Sequence, residues 1–209
     1  MMKLALSCLL LALLSGGASA ELREGKDYVL IPQQQTDARD RIEVTEFFWY
    51  GCPHCYDFEP VISKWVAKLP KNALFRRIPA IFPGGRWAPA AKLYYALEAV
   101  GETERLHRQV FDAIHLERMN YISEADVTDW LEKKGVDRKK FSEAYNSFAV
   151  KAKVERSLQL TEAYRVSSVP MMVIAGKYQT SNTLVGSYEA LPAIMDELIV
   201  KASAEQGKK

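Results

Sequence analysis

The sequence predicts an α/β protein: a central mixed β-sheet flanked by helices, with an all-helical domain inserted between its strands. Three observations carry this. A run rich in Ile, Val, Thr and Phe occupies 42–49, a second strand is read over 73–80, and strand signal returns only at 171–185. Everything from about 87 to 166 between them has helical spacing. The first run leads directly into Cys52-Pro53-His54-Cys55, at the head of a helical pattern. The predicted organisation is a signal peptide over 1–20, a first part of the α/β domain over 21–83, the helical insertion over 84–166, and the second part over 167–209. A chain of 209 residues with 48% hydrophobic content is long enough for this, and a net charge of +2 points to no nucleic-acid partner.

Taken in order, Lys3, an apolar core over 4–14 and the small residues Ala18-Ser19-Ala20 read as a secretory signal cut before Glu21. The apolar run is too short to span a bilayer comfortably. Cys8 lies within it, so of three cysteines the mature protein keeps Cys52 and Cys55. A short apolar piece over 28–31, ended by Pro32, predicts an edge strand. The buried strand over 42–49 follows, interrupted by Glu46. A carboxylate there is costly without a proton or a partner. Either the strand turns Glu46 to solvent, or it is a buried acid beneath the thiols that relays a proton.

Residues 53–69 place Phe58, Val61, Ile62, Trp65 and Leu69 at helical spacing, with Pro60 expected to kink the helix. After the strand over 73–80, Pro83-Gly84-Gly85 breaks the chain. Helices are expected over 89–100, ending at Gly101, and over 102–117. Ser123 with Asp126 opens another that ends at Gly135, Asp137 caps one reaching 145, and a longer one covers 148–164. Strand signal over 171–175, a turn at Gly176-Lys177 and a second strand over 178–185 predict a hairpin. A final helix over 191–201 precedes a frayed polar tail over 204–209.

The chemistry resides in the cysteine pair. Two thiols three residues apart at the first turn of a helix can close into a disulfide, and the free N–H groups there favour an anion. Cys52 is therefore expected to be the acidic, exposed thiol and Cys55 the buried resolving one. Pro53 suits the first helical position, and His54 adds positive charge or a hydrogen-bond donor beside the sulfur. A stabilised thiolate leaves easily, which makes the disulfide an oxidant of other thiols. Such a short loop is useless as a scaffold, so the pair is there for its reactivity. A structural zinc site needs two more ligands; His107 and His115 are not spaced as a standard pair and read as surface residues, so no metal is expected. Trp49, Tyr50, Phe82, Met171 and Met172 are candidates for an apolar groove around Cys52, with Met171 the better and Trp49 and Met172 more at home in a core.

The run Glu46-Phe47-Phe48-Trp49-Tyr50-Gly51-Cys52-Pro53-His54-Cys55, the helical insertion, and Val169-Pro170 before a hairpin and helix together resemble the DsbA family of periplasmic thiol:disulfide oxidoreductases. The resemblance covers about 28–201. It implies a thioredoxin fold with an inserted helical domain. A low thiolate pKa and an oxidising disulfide are familiar properties of that family and come with the resemblance. It implies that Cys52 is the nucleophile and Cys55 resolves the mixed disulfide. Pro170 would be cis and face the active-site turn, so that the Val169 backbone pairs with an extended substrate segment and Met171 lies beside it. Glu46 would match the family's buried acid. The substrates would be reduced, unfolded secreted polypeptides, and reoxidation would come from a quinone-linked membrane oxidase of the DsbB type. A monomer is expected, with no cofactor beyond the Cys52–Cys55 disulfide. The alternatives are a disulfide reductase or isomerase, or a peptide-binding chaperone whose disulfide is incidental.

Overall fold

The computed structural model describes residues 22–38 and 40–207, so the signal peptide expected over 1–20 lies outside the described residues. Five strands form one sheet in the order β1-β5-β4-β2-β3. They are β1 (Val29–Leu30), β2 (Ile42–Phe48), β3 (Ala73–Pro79), β4 (Met171–Ile174) and β5 (Tyr178–Thr180). The central strand β2 runs parallel to β3 and antiparallel to β4, and β5 links β4 to the edge strand β1 by antiparallel pairing. Every residue of β2 is buried, which is why its sequence reads as a nearly continuous apolar run. Register sets Glu46 between Arg77 on β3 and Met172 on β4.

The helix α1 (Pro53–Val66) buries Cys55, Phe58, Glu59, Ile62 and Trp65 along one face. It continues unbroken through Pro60. On this side of the sheet Phe58, Ile62 and Trp65 pack with Val44, Met172 and Ile174, and with Met195, Leu198 and Ile199 of α8 (Leu191–Gln206). Each fully buried side chain of this kind contributes about 1.5–3 kcal/mol relative to exposure. Trp65 Nε1–H donates to Asp196 Oδ1 at 2.8 Å, tying α1 to α8.

Between β3 and β4 come α2 (Trp87–Ala99), α3 (Thr103–His115), α4 (Glu124–Lys133), α5 (Arg138–Tyr145) and α6 (Phe148–Ala163). Ser123, Asp137 and Ser147 cap α4, α5 and α6 by accepting from the backbone N–H of Asp126, Lys140 and Val150. Gly101 and Gly135 close α2 and α4 at φ of 76° and 82°, a conformation that costs glycine little. The far end of α6 roofs the other sheet face, where Leu160 and Tyr164 meet Phe47, Ile78 and Val173.

Two expectations are corrected. The second hairpin strand stops at Thr180, and residues 182–185 form a short helix, α7 (Asn182–Val185). The cause is Ser181, whose side chain accepts from Leu184 N–H and so starts a helix where Thr183 and Val185 suggested a strand. The tail is not frayed from 204, since α8 continues to Gln206; there Glu205 accepts from Lys177 Nζ and from the Tyr178 hydroxyl, both at 2.5 Å. Among the described residues no helix is long and apolar enough to cross a membrane.

Candidate active site

The site forms where β2 runs out. After Phe48 the chain turns through Trp49, Tyr50 and Gly51, and Cys52 N–H donates back to Trp49 O at 3.0 Å. Gly51 is required, because a Cβ there would stand 2.5–2.8 Å from ring atoms of Trp49. That indole stacks on Trp87 at 4.2 Å between centroids, and Trp87 meets Phe82 edge-on at 4.7 Å. Cys52 is the extended N-cap residue of α1, and Pro53 takes the first helical position.

The two thiols are free and differ sharply. Cys52 has its pKa lowered to about 6, chiefly because the Cys55 thiol donates to it, with the backbone N–H groups of Cys55 and His54 and the charge of His54 adding to this against partial burial. Cys55 is pushed well above the ordinary thiol value, first by burial, then by its bond to Cys52 and the negative charges of Cys52 and Glu46. The asymmetry expected of the pair is present, but the expected exposure is not. Cys52 is only 7% accessible, with its sulfur 3.5 Å from the Val169 carbonyl oxygen, to which the thiol donates. The Val169–Pro170 peptide is cis. Met171 is also corrected: its side chain is buried with Phe47, Leu160 and Val173 in the sheet core, and it reaches only the wall of a shallow cavity of about 240 Å³ beside Ser167, Ser168 and Leu184. Met172 is buried, as its core reading anticipated, and Trp49 is half-buried. His54 is exposed, and its Nδ1 lies 3.1 Å from the hydroxyl of Tyr188, whose ring stacks on Phe58.

Glu46 is buried, so the strand does not turn it to solvent. Its Oε2 accepts from Arg77 Nε at 3.0 Å. Burial raises its pKa to about 7 despite Arg77, and the Glu59 carboxylate pushes in the same direction as burial. Arg77 also grips both oxygens of Glu59 through Nη2 at 3.1 Å.

The structure brings in residues that the sequence reading missed. His107 and His115 are not surface residues: His107 is 4% exposed and His115 is half-buried. His107 Nδ1 is 2.8 Å from the Tyr50 hydroxyl, and His115 Nε2–H donates to the Tyr50 carbonyl at 2.8 Å. His115 also stacks on Tyr56, with 4.8 Å between centroids. Glu59 left a readable signal, a carboxylate on the same helix face as Cys55 and Ile62. Strand register sets Arg77 beside Glu46, from where it also reaches Glu59, and no local pattern reveals this.

An acidic thiolate above a buried thiol and a buried carboxyl can open and close a disulfide. Comparison with known proteins agrees. Residues 43–191 match the DSBA-like thioredoxin domain family. The thiol:disulfide interchange protein DsbA of Pseudomonas aeruginosa is 42% identical over 185 residues, covering 88% of this chain and 87% of the relative. The DsbA of Azotobacter vinelandii is 40% identical over 188 residues, covering 90% and 87%. The crystal structure of Pseudomonas aeruginosa DsbA superposes with a TM-score of 0.84 at 42% identity, covering 88% of this chain and 96% of that one. That of the Xylella fastidiosa oxidoreductase DsbA gives 0.80 at 29% identity, covering 88% and 98%. The chain belongs to the DsbA family of thioredoxin-fold proteins and is a protein thiol:disulfide oxidoreductase.

Proposed function

We propose that the protein is a dithiol oxidase that donates its Cys52–Cys55 disulfide to reduced, unfolded exported polypeptides. The observation that carries this is the placing of the pair at the start of α1, with Cys52 as its N-cap residue beside the Val169 carbonyl and Cys55 buried one turn in, which lowers the Cys52 pKa to about 6 and raises that of Cys55. A thiol that is a thiolate at neutral pH is a stable leaving group, so equilibrium favours transfer of the disulfide to ordinary thiols. A substrate thiolate attacks Cys52 Sγ, the Cys52–Cys55 bond breaks, and Cys55 leaves with the electron pair. Cys55 takes the Glu46 proton and becomes a neutral buried thiol. A second substrate thiolate then attacks the substrate sulfur of the mixed disulfide and releases Cys52 as a thiolate.

Pro53 and His54 hold and polarise the helix start. The Val169 carbonyl, beside Cys52, and the cis Pro170 form the edge against which an extended substrate backbone docks, with Met171 anchoring that edge from the core. The export signal read over 1–20 fits action in the periplasm, by a monomer that needs no cofactor beyond the disulfide itself. Reoxidation then falls to a quinone-linked membrane oxidase of the DsbB type, whose disulfide the Cys52 thiolate attacks.

The experiment is the equilibrium of the Cys52–Cys55 pair with glutathione at neutral pH, followed by tryptophan fluorescence, together with oxidation of a reduced, unfolded substrate. A dedicated oxidase stays reduced until the buffer is strongly oxidising, and Cys52→Ser abolishes substrate oxidation. A pair that remains disulfide-bonded in reducing buffer is a reductase, and the proposal fails. If Cys52→Ser still suppresses aggregation while the wild type oxidises nothing, the protein is a chaperone.

A further inference from the structure

The chemistry above uses Glu46 but leaves two buried polar residues of the same cluster without a role. Arg77 joins Glu46 to Glu59, and Glu59 also accepts from Ser63 Oγ at 2.5 Å. On its far side Glu59 Oε2 faces His107 Nε2 at 3.4 Å, a contact that falls short of a formed hydrogen bond and leaves Nε2 without a full partner. His107 Nδ1 meets the Tyr50 hydroxyl at 2.8 Å. The rings of Phe48, Tyr94 and Phe111 close around the imidazole at 5.1, 6.1 and 5.3 Å between centroids. The groups facing this cluster are Arg77 from β3, Glu59 and Cys55 from α1, Tyr94 from α2 and Glu104 from α3 itself.

Two carboxylates share one guanidinium, so the cluster carries a surplus negative charge unless it binds a proton. A surplus charge in the interior is expensive, and the proton has three possible homes. Glu59 is the poorest, since Arg77 and Ser63 already satisfy its carboxylate. His107 is excluded by Tyr50. The phenol is fully buried and keeps its proton, and its one partner among the described residues is His107 Nδ1. The hydroxyl must therefore donate to Nδ1. A protonated imidazole would carry hydrogen on both ring nitrogens and leave the phenol proton with no acceptor. Glu46, whose charge acts on Cys55, is what remains.

We propose that Tyr50 and His107 are positioning residues for disulfide exchange: the Tyr50 hydroxyl fixes His107 as a neutral imidazole, and that neutrality leaves the cluster's exchangeable proton on Glu46. This rests on the reading of Glu46 as the acid that protonates Cys55. It extends the site to α3, because His107 never touches the reacting sulfurs and acts through Glu59 and Arg77. The empty bonding position at Nε2 fits this role, since a cationic His107 would pair firmly with Glu59 and free Arg77 for Glu46. Glu46 would then ionise and hold no proton for the leaving thiolate.

The test begins with the imidazole nitrogens of His107 in the wild-type protein, observed by ¹⁵N NMR between pH 5 and pH 8. The expected result is a neutral ring with hydrogen on Nε2 throughout; a cation at neutral pH, or hydrogen on Nδ1, overturns the proposal. The second measurement is the pH profile of disulfide opening by a small thiol in Tyr50→Phe, His107→Gln and Glu46→Gln proteins. Glutamine can accept from Tyr50 and donate to Glu59 without charge, so His107→Gln should keep the wild-type midpoint. Tyr50→Phe frees Nδ1 and should lower the midpoint by about one pH unit, which slows opening roughly tenfold on the alkaline side. Should Glu46→Gln leave the profile untouched, the Glu46 reading itself is wrong. Should Glu46→Gln remove the step while Tyr50→Phe leaves it in place, only the role of Tyr50 and His107 falls.

Discussion

Lowering the Cys52 pKa links the stability of the reduced protein to pH, and the size of the effect can be worked out. The folded thiol titrates near 6 and the unfolded one at its ordinary value of 9.0. For a group whose folded pKa is depressed, the stabilisation is complete above the unfolded pKa and disappears as pH falls through the folded one. The reduced protein should therefore gain nothing from Cys52 at pH 5, about 1.4 kcal/mol at pH 7 and about 2.7 kcal/mol at pH 8. Because the sulfur must remain reachable by substrate, solvent screening reduces the last figure toward about 1.5 kcal/mol. Cys55 stays protonated across this window, since its shift is upward. Glu46, raised to about 7, titrates in the opposite sense and costs stability as pH rises, but it is present in both redox forms. The assay is urea unfolding of the reduced and disulfide forms at pH 5 and pH 8, taking the difference between forms at each pH so that Glu46 cancels. The difference should move toward the reduced form by about 1.5–2.7 kcal/mol on going to pH 8. A difference independent of pH would mean that Cys52 is not an acidic thiol, and the basis for calling the protein an oxidase would go with it.

Cys55→Ala should accumulate a covalent adduct between Cys52 and a substrate cysteine from a pre-formed peptide disulfide, because the resolving thiol is gone; intact-mass measurement of the adduct checks this, and its absence would remove Cys52 from the role of attacking sulfur. Gly51→Ala forces a methyl group into the Trp49 ring, so it should cost about 1–3 kcal/mol and change tryptophan emission as the Trp49–Trp87 stack is displaced. An alanine accommodated with no change in either would show that Trp49 does not set the turn. Trp65→Phe removes the hydrogen bond to Asp196 between α1 and α8 and should cost about 1 kcal/mol in thermal unfolding, with the Cys52 titration unmoved.

The sheet order and the helix caps show which parts of this molecule are written locally. β2 announced itself by β-branched and aromatic residues, and Ser123 and Asp137 marked the starts of α4 and α5 by chemistry that acts within one turn. Ser181 carried the same capping signal, but Tyr178, Thr183 and Val185 imitate a strand, and the stronger pattern prevailed. At the site, the thiols and Glu46 were legible because cysteine spacing and a carboxylate in an apolar strand are local oddities. Arg77, His107 and His115 were not. A charged residue in a strand or on a helix normally points to water, and only the packing of α3 against the Cys52 turn and the register of β3 against β2 turn these three inward.

Cys52 and Cys55 lie in one apolar cluster with Phe48 and Tyr50 from the sheet side and with Leu93, Leu97, Leu106 and Phe111 from the helices that follow β3. The helical stretch is thus no appendage that could be trimmed from a self-sufficient sheet. Its removal would strip one wall from the thiols and expose rings that belong to the centre of the molecule. The chain should therefore melt as a single cooperative unit, with one calorimetric transition whose midpoint depends on redox state. An event at two sulfur atoms is then registered in the stability of helices as distant in sequence as α5, whose Phe141 and Tyr145 share that cluster.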